Sequence, residues 1–163
     1  MITLRDATAT DMAAILPIYN DAVVNTTAVF DYAARSLEAQ RAWFAAKQEQ
    51  QLPVLLAVEG DAVLGFASYG PFRPWPAYRH TVENAIYIAP ERRGQGLGKL
   101  LLPALFARAQ AAGMHAMIAG ITADNAASLH LHTQMGFREA GRLTEVGWKF
   151  ERWLDLVFME KRL

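Results

Sequence analysis

The chain of 163 residues contains no cysteine. Disulfide bridges, thiolate metal ligands and a cysteine nucleophile are therefore excluded, and we predict no metal site and a reducing, cytoplasmic location. An excess of one charge is also absent, because 16 Lys and Arg residues balance 16 Asp and Glu residues. This balance gives no electrostatic case for binding nucleic acid or an anionic membrane. No apolar run reaches the length of a membrane span, and the first residues lack the order of a signal peptide.

The remaining composition is that of an ordinary folded domain. Hydrophobic residues make up 53% of the chain and charged residues 20%, which is far from the composition of a disordered protein. A chain of this length can bury a real core. Since no repeat or linker divides the sequence, we expect a single domain over residues 1–163.

Apolar patterns predict an alternation of strands and helices, that is, a mixed α/β fold with some parallel pairing. The predicted strands are Ile2–Ala7, Pro53–Val58, Ala62–Tyr69, Thr81–Ile88, His115–Thr122, Phe137–Leu143 and Trp153–Met159. Helices are predicted after Thr10, after Ser36, over Leu97–Ala112 and from Asp124 to Gly136. Pro17 and Pro103 lie inside two of them, and we expect each proline to kink or interrupt its helix.

The run Arg92-Arg93-Gly94-Gln95-Gly96-Leu97-Gly98-Lys99 is the strongest functional signal. Its glycines allow a ligand to approach the backbone closely, and the helix that follows adds free N–H donors and a positive dipole end. Flanking cations favour an anion, most simply a phosphate group. The spacing fits neither a P-loop nor a dinucleotide-binding fingerprint, because Arg93, Lys99 and Leu100 stand where those motifs need other residues. A simple glycine-rich turn with solvated charges is the alternative.

Two motifs resemble those of the GCN5-related N-acetyltransferase (GNAT) family. Arg93-x-x-Gly96-x-Gly98 is similar to its pyrophosphate motif, and Asn125 to Phe137 is similar to its second coenzyme A segment. The resemblance implies the GNAT fold, a mixed sheet of about seven strands flanked by about four helices, with acetyl-CoA as co-substrate. It also implies that the cofactor is bound by Arg93, Gly94, Gln95, Gly96, Leu97, Gly98, Lys99, Asn125 and Ser128, and by the backbone of Ile86, Tyr87 and Ile88.

Glu83 is the candidate general base. Alternation along its strand places Thr81, Glu83, Ala85 and Tyr87 on one face, and a carboxylate in an otherwise buried strand is costly unless it is paired or used. Partial burial would raise its pKa toward a useful value. The alternative is an ion pair with Arg79 or His80, or a solvated position.

His132 occupies the position where the family usually has Tyr, and this is a departure from the pattern. The resemblance implies that His132 assists the leaving sulfur, by a proton or a hydrogen bond. A mere contact with coenzyme A is the alternative, and a lone histidine on a helix is more often structural.

Further segments resemble the phosphinothricin and methionine sulfoximine acetyltransferase subgroup, among them Tyr69–Trp75, Tyr78–Glu83 and Gly147–Phe150. This resemblance implies a small amino-acid analogue as acceptor, a homodimer, and direct attack of the α-amine in a ternary complex. Arg73 is then the natural partner of a carboxylate or phosphinate. The other predicted acceptor-binding residues are Phe30, Pro74, Trp75, Tyr78, Thr81 and Lys149.

Two other functions remain open from the sequence. The first is acetylation of a protein N-terminus, a lysine or a polyamine on the same fold. The second is a non-catalytic acyl-CoA sensor.

Overall fold

A single seven-stranded sheet organises the computed structural model, which describes residues 1–163. The strands are β1 (Ile2–Asp6), β2 (Val54–Glu59), β3 (Ala62–Pro71), β4 (Thr81–Ile88), β5 (Ala116–Thr122), β6 (Arg138–Lys149) and β7 (Arg152–Arg162). Their order in the sheet is β1-β2-β3-β4-β5-β7-β6, and β4 and β5 form the only parallel pair. The predicted mixed α/β fold is confirmed.

Four helices cover the two faces of this sheet: α1 (Met12–Asn25), α2 (Leu37–Glu49), α3 (Leu97–Ala111) and α4 (Ala126–Gln134). The apolar sides of α1 and α2 pack on one face, around Met12, Ile15, Phe44 and Phe66. On the opposite face, α3 and the helix α4 that follows β5 close a second and larger core. None of the helices is long and apolar enough to cross a membrane.

Neither of the two helix prolines interrupts its helix. Helix α1 continues through Pro17, and α3 continues through Pro103. Each proline removes one backbone donor, but the apolar side chains around it are buried against the sheet. Tertiary packing of that kind outweighs one missing hydrogen bond.

The last two strands are longer than predicted. The sequence suggested that β6 ends at Leu143 and that β7 begins at Trp153, whereas the strands meet in a tight turn at Phe150 and Glu151. Both turn residues have positive φ, 53° and 57°. Such turns usually contain Asn or Gly, so this sequence carries no local signal for the turn.

A gap in the sheet between β4 and β5 positions the site. The two strands pair only over Thr81–Glu83 and Ala116–Ile118. Beyond this point β4 continues against β3, while β5 continues against β7. The strands therefore diverge after Glu83, and the β4 backbone that faces the gap has no strand partner there.

Candidate active site

A cavity of about 820 Å³, called here the loop cavity, lies between the end of β4 and the start of α4. The glycine run forms one of its walls. Gly94 and Gly96 have φ of 75° and 82°, in the left-handed region where glycine is favoured. The backbone N–H groups from Gly94 through Gly98 have no hydrogen-bond acceptor in the protein. Free donors at the start of a helix are able to bind an anion, so this geometry is compatible with the predicted anion site.

The cations around the loop cavity differ in whether they already form an ion pair within the protein. Arg92 forms an ion pair with Glu59 at 3.3 Å, and Arg93 pairs with Asp21 and donates from Nε to the Ile88 carbonyl at 3.3 Å. Lys99 lines the cavity and forms no ion pair. Arg93 therefore also fixes the end of β4 against α1, and Lys99 is the cation most available to a ligand.

The packing of α3 against α4 requires glycine at position 98. A Cβ at this position would lie 2.5 Å from Cδ2 of Leu131, so α3 and α4 approach each other more closely than any side chain would allow.

Asn125 caps α4 by accepting a hydrogen bond from the Ser128 amide at 3.1 Å. Asn125 and Ser128 nevertheless line the loop cavity, as do Ile86, Tyr87 and Ile88. The Gln95 side chain does not, and donates to the Glu91 carbonyl instead.

A second cavity of about 450 Å³, called here the gap cavity, passes through the opening between β4 and β5. It shares Ala28, Ile86, Tyr87, Asn125 and Ser128 with the loop cavity. The two cavities therefore meet at the end of β4. A ligand held by the glycine run can extend through this junction toward Glu83.

Glu83 faces the gap cavity from the side of the sheet that carries α1 and α2. Burial raises the pKa of its carboxyl, and the positive charge of Arg73 partly opposes this shift. Glu83 forms no ion pair with Arg79 or His80, since Arg79 donates to His80. Gly120 leaves room for the carboxylate, because a Cβ there would lie 3.0 Å from Oε1 of Glu83. The structure thus places a partly desolvated carboxylate at the gap.

His132 lies on the opposite side of β4 and is almost completely buried. Its Nδ1 lies 2.8 Å from the Ser128 carbonyl, which can only accept, so Nδ1 carries the proton in this contact. Its Nε2 then accepts from Nδ2 of Asn84 at 3.2 Å. Burial lowers the pKa of His132, which favours the neutral ring. The partner Asn84 is a cavity-lining residue that sequence reasoning did not select.

Of the predicted acceptor-binding residues, the structure brings only Phe30 into the gap cavity. Phe30 packs over Gly147, where a Cβ would lie 2.5 Å from its ring. Lys149 is buried and donates to the carbonyls of Val23 and Val29, the latter at 2.7 Å. Arg73 stacks on Phe72 and donates to its carbonyl. The cavity is not lined by Arg73, Pro74, Trp75, Tyr78, Thr81 or Lys149.

Helices α1 and α2 and the segment between them contribute a wall of the gap cavity that the sequence analysis missed. It consists of Tyr19, Arg35, Trp43 and Lys47. Burial lowers the pKa of Lys47 to about 8. The only sequence signal was the spacing of Trp43 and Lys47, which places them on the same side of α2. That spacing is equally typical of a packing helix.

Comparisons with known proteins agree with this geometry. Residues 15–137 match the model of the "Acetyltransferase (GNAT) family". An L-methionine sulfoximine/L-methionine sulfone acetyltransferase of Pseudomonas paraeruginosa is 48% identical, over 99% of this chain and 94% of the relative. A phosphinothricin N-acetyltransferase of Streptomyces coelicolor is 35% identical, over 99% of this chain and 96% of the relative.

A solved acetyltransferase from Salmonella typhimurium, described with its cofactor acetyl-CoA, superimposes with a TM-score of 0.97. It is 42% identical, and the match covers 99% of this chain and 94% of that one. These relatives match nearly the whole chain. The fold and the glycine run are those that the family resemblance implies. The protein therefore belongs to the GNAT family and is an N-acetyltransferase.

Proposed function

We propose that this enzyme moves the acetyl group of acetyl-CoA to the α-amine of a small amino-acid analogue, such as methionine sulfoximine or phosphinothricin. One observation carries the proposal: the carboxylate of Glu83 lines the gap cavity, and this cavity joins the loop cavity at the end of the same strand, β4. The relatives named for these substrates support the acceptor class.

On the donor side, the free N–H groups of Gly94 to Gly98 and the ammonium of Lys99 suit a pyrophosphate. The unpaired backbone of β4 beyond Glu83, at Ile86 to Ile88, would hold the extended arm of the cofactor and polarise the thioester carbonyl. Asn125 and Ser128 line both cavities and would flank the junction.

On the acceptor side, Glu83 would take the proton that the α-ammonium loses before it attacks the thioester carbonyl. The new C–N bond then forms as the C–S bond breaks, and the coenzyme A thiolate that leaves takes up the second proton that the nitrogen loses, so that the products are the amide and the free thiol. The raised pKa of Glu83 makes it a better proton acceptor than an exposed carboxylate. No covalent acyl-enzyme is required.

The hydrogen bonds of His132 support a structural role for its ring. Its Nδ1 proton is bonded to the Ser128 carbonyl, and Nε2 accepts from Asn84. In this neutral form Nε2 has no proton to donate to a leaving thiolate. We therefore propose that His132 and Asn84 shape the junction beside the cofactor, and that His132 does not act as its general acid.

The remaining predictions concern Arg73 and the assembly. Arg73 is proposed as a second cation for an acidic acceptor, since its charge influences Glu83, and Phe30 as a wall of the cavity. Strand β6 is an edge of the sheet, and Trp148, Phe150 and Trp153 are about half exposed near it. This aromatic edge supports the proposal of a homodimer. The cytoplasmic location remains a prediction from the composition.

The test is release of coenzyme A thiol from acetyl-CoA with four acceptors: methionine sulfoximine, phosphinothricin, a peptide with a free N-terminus and lysine, and spermidine. We expect release with the two amino-acid analogues. Release only with the peptide or with spermidine would favour the other acetyltransferase functions. Tight cofactor binding without release for any amine would favour a sensor.

Glu83→Gln tests the assigned base in the same assay. We expect kcat to fall by about 10²- to 10⁴-fold while the affinity for acetyl-CoA is retained. The wild-type rate should rise with pH through the raised pKa of Glu83, because only the carboxylate accepts a proton, and the variant should lose this limb. The exposed Glu49→Gln is the matched control. An unchanged rate and pH profile would remove Glu83 from the mechanism.

A further inference from the structure

The wall of the gap cavity formed by α1, α2 and the segment between them holds two cations without a carboxylate partner. Arg35 and Lys47 both line the cavity, and neither forms an ion pair within 4.0 Å. The only carboxylate in the lining is Glu83. The cavity therefore carries more positive than negative charge, although the whole chain is neutral.

Arg35 is held firmly in place. Its backbone N–H donates to Oδ1 of Asn20 at 2.8 Å, and its carbonyl accepts from Nδ2 of the same side chain. Its guanidinium lies 4.0 Å from the centre of the Tyr19 ring and donates from Nη1 to the fully buried Gln40 at 2.9 Å. A guanidinium fixed in this way loses little freedom when it binds an anion.

Lys47 and Arg35 both lie close to the indole ring of Trp43. Trp43 lies 5.6 Å from Nζ of Lys47 and 5.8 Å from Cζ of Arg35. The ammonium donates to the Tyr69 carbonyl at 2.7 Å, and this is its only hydrogen bond. Two of its three donors are therefore unused beside the cavity. The lowered pKa of Lys47 has desolvation as its only cause, which agrees with an ammonium that has no anion next to it.

Lys47 lies close to the strand position that carries Glu83, the proposed base. Its Nζ lies 3.4 Å from where a Cβ of Gly70 would be, and Gly70 pairs with Glu83 across β3 and β4. The cations and the proposed base therefore face the same cavity from the same side of the sheet. A ligand with one ammonium and one acidic group matches this arrangement, because Glu83 takes the first and the cations take the second.

We propose that Arg35 and Lys47 form a subsite that binds an acidic group of the acceptor, a carboxylate or a phosphinate. This inference rests on the function proposed above. The subsite selects zwitterionic and acidic amines and rejects polyamines, because a second ammonium would face two cations.

Two arms of one experiment test the subsite. Binding of methionine sulfone and phosphinothricin, and of their carboxamides, is measured by calorimetry with coenzyme A present, so that no acetyl group can transfer. The kcat and KM for the same acceptors are measured with acetyl-CoA. The variants are Lys47→Met and Arg35→Met, with Lys47→Arg as the conservative variant.

Lys161→Met is the matched control, because Lys161 is also half-buried and its Nζ lies 5.3 Å from the ring of Phe106, away from the gap cavity. It shows what the loss of a lysine over an aromatic ring does by itself. Urea unfolding of each variant reports whether it is folded.

In the wild type we expect methionine sulfone to bind more tightly than its carboxamide if the subsite takes the α-carboxylate, and phosphinothricin and its carboxamide to bind alike if it takes the phosphinate. Lys47→Met should weaken binding and raise KM for acidic acceptors by about tenfold or more, with the KM for acetyl-CoA unchanged, and Lys47→Arg should restore much of the loss. If the bound group is the α-carboxylate, both amino acids lose affinity and the carboxamides do not. If it is the side-chain acid, phosphinothricin and its carboxamide lose affinity and methionine sulfone does not.

Equal loss for acceptors with and without an acidic group would overturn the subsite, and so would variants that bind acidic acceptors like the wild type. A wild type that binds these acceptors but transfers no acetyl group to them would instead overturn the proposed function. The two failures therefore appear in different arms of the experiment.

Discussion

Helices α3 and α4 approach each other closely at Gly98. We therefore predict that the effect of Gly98→Ala on the free energy of unfolding changes sign when Leu131 is also replaced. Replacing Gly98 by alanine puts a Cβ 2.5 Å from Cδ2 and 3.2 Å from Cδ1 of Leu131. Carbon atoms in ordinary contact are about 3.5–4.0 Å apart, so the Leu131 side chain has to retreat by about 1 Å. Overpacking of this kind costs about 1–3 kcal/mol. Alanine gains about 1 kcal/mol over glycine inside a helix.

The net effect of Gly98→Ala therefore depends on residue 131. With Leu131 present we expect the free energy of unfolding to fall by up to about 2 kcal/mol. In a Leu131→Ala background the clash is absent, and the same substitution should stabilise the protein by up to about 1 kcal/mol. The start of α3 also carries the free amides, so Gly98→Ala alone should weaken acetyl-CoA binding, and Leu131→Ala should partly relieve that loss.

Urea unfolding of the four proteins in this double-mutant cycle measures the coupling. Gly94→Ala is the control, because a Cβ there meets nothing within 4 Å and the cost comes only from the positive φ of 75°. That cost, about 1–2 kcal/mol, should be the same in the wild-type and the Leu131→Ala backgrounds. An identical effect of Gly98→Ala in both backgrounds would refute the packing argument.

Three further predictions concern the site. Lys149→Met should lower the free energy of unfolding by about 1–3 kcal/mol in urea titrations, because two backbone carbonyls lose their donor. A raised KM for the acceptor at unchanged stability would instead show that Lys149 binds the acceptor. Because burial lowers the pKa of His132, the unfolded chain binds more protons in acid, so stability should fall as the pH drops below about 6.5. His132→Gln should flatten this dependence in pH-resolved unfolding, and the exposed His130→Gln should not. Gly120→Ala should displace the Glu83 carboxylate and lower kcat in the thiol assay, while an unchanged kcat would show that the carboxylate position is not critical.

The donor half of the site could be predicted from the sequence because it is local. The glycine run, the turn before α3 and the N-cap of α4 each depend on short segments, whose chemistry is visible as residue types at fixed spacing. The prediction of which face of its strand carries Glu83 also needed only the alternation of a strand. The structure agrees, since Glu83 faces the α1 and α2 side while Asn84 contacts His132.

The acceptor half could not be predicted in this way. Its wall comes from Tyr19, Arg35 and Lys47, which become neighbours only when α1 and α2 pack against the sheet. Amphipathic helices predict burial on one side, but not which of their polar residues reach a gap in a sheet. Arg73 was predicted from a segment that resembles the acetyltransferase subgroup; its guanidinium stacks on Phe72 and does not line the gap cavity, and its contact with an acceptor stays a prediction.

The end of the β4–β5 pairing at Glu83 explains why one strand serves both halves. Up to this residue β4 is an ordinary interior strand whose backbone is hydrogen-bonded on both sides. After it, β4 keeps its partner β3, so it remains rigid, but its other edge is free to bind an extended ligand.

The first residue after the pairing ends, Asn84, fixes His132 on one face, and the last paired residue, Glu83, presents its carboxylate on the other. In the proposed mechanism the donor enters along the free edge and the acceptor arrives from the α1 and α2 side, so the two meet at this point of the sheet. The proposed selectivity for the acceptor then depends on the helices that cover Glu83.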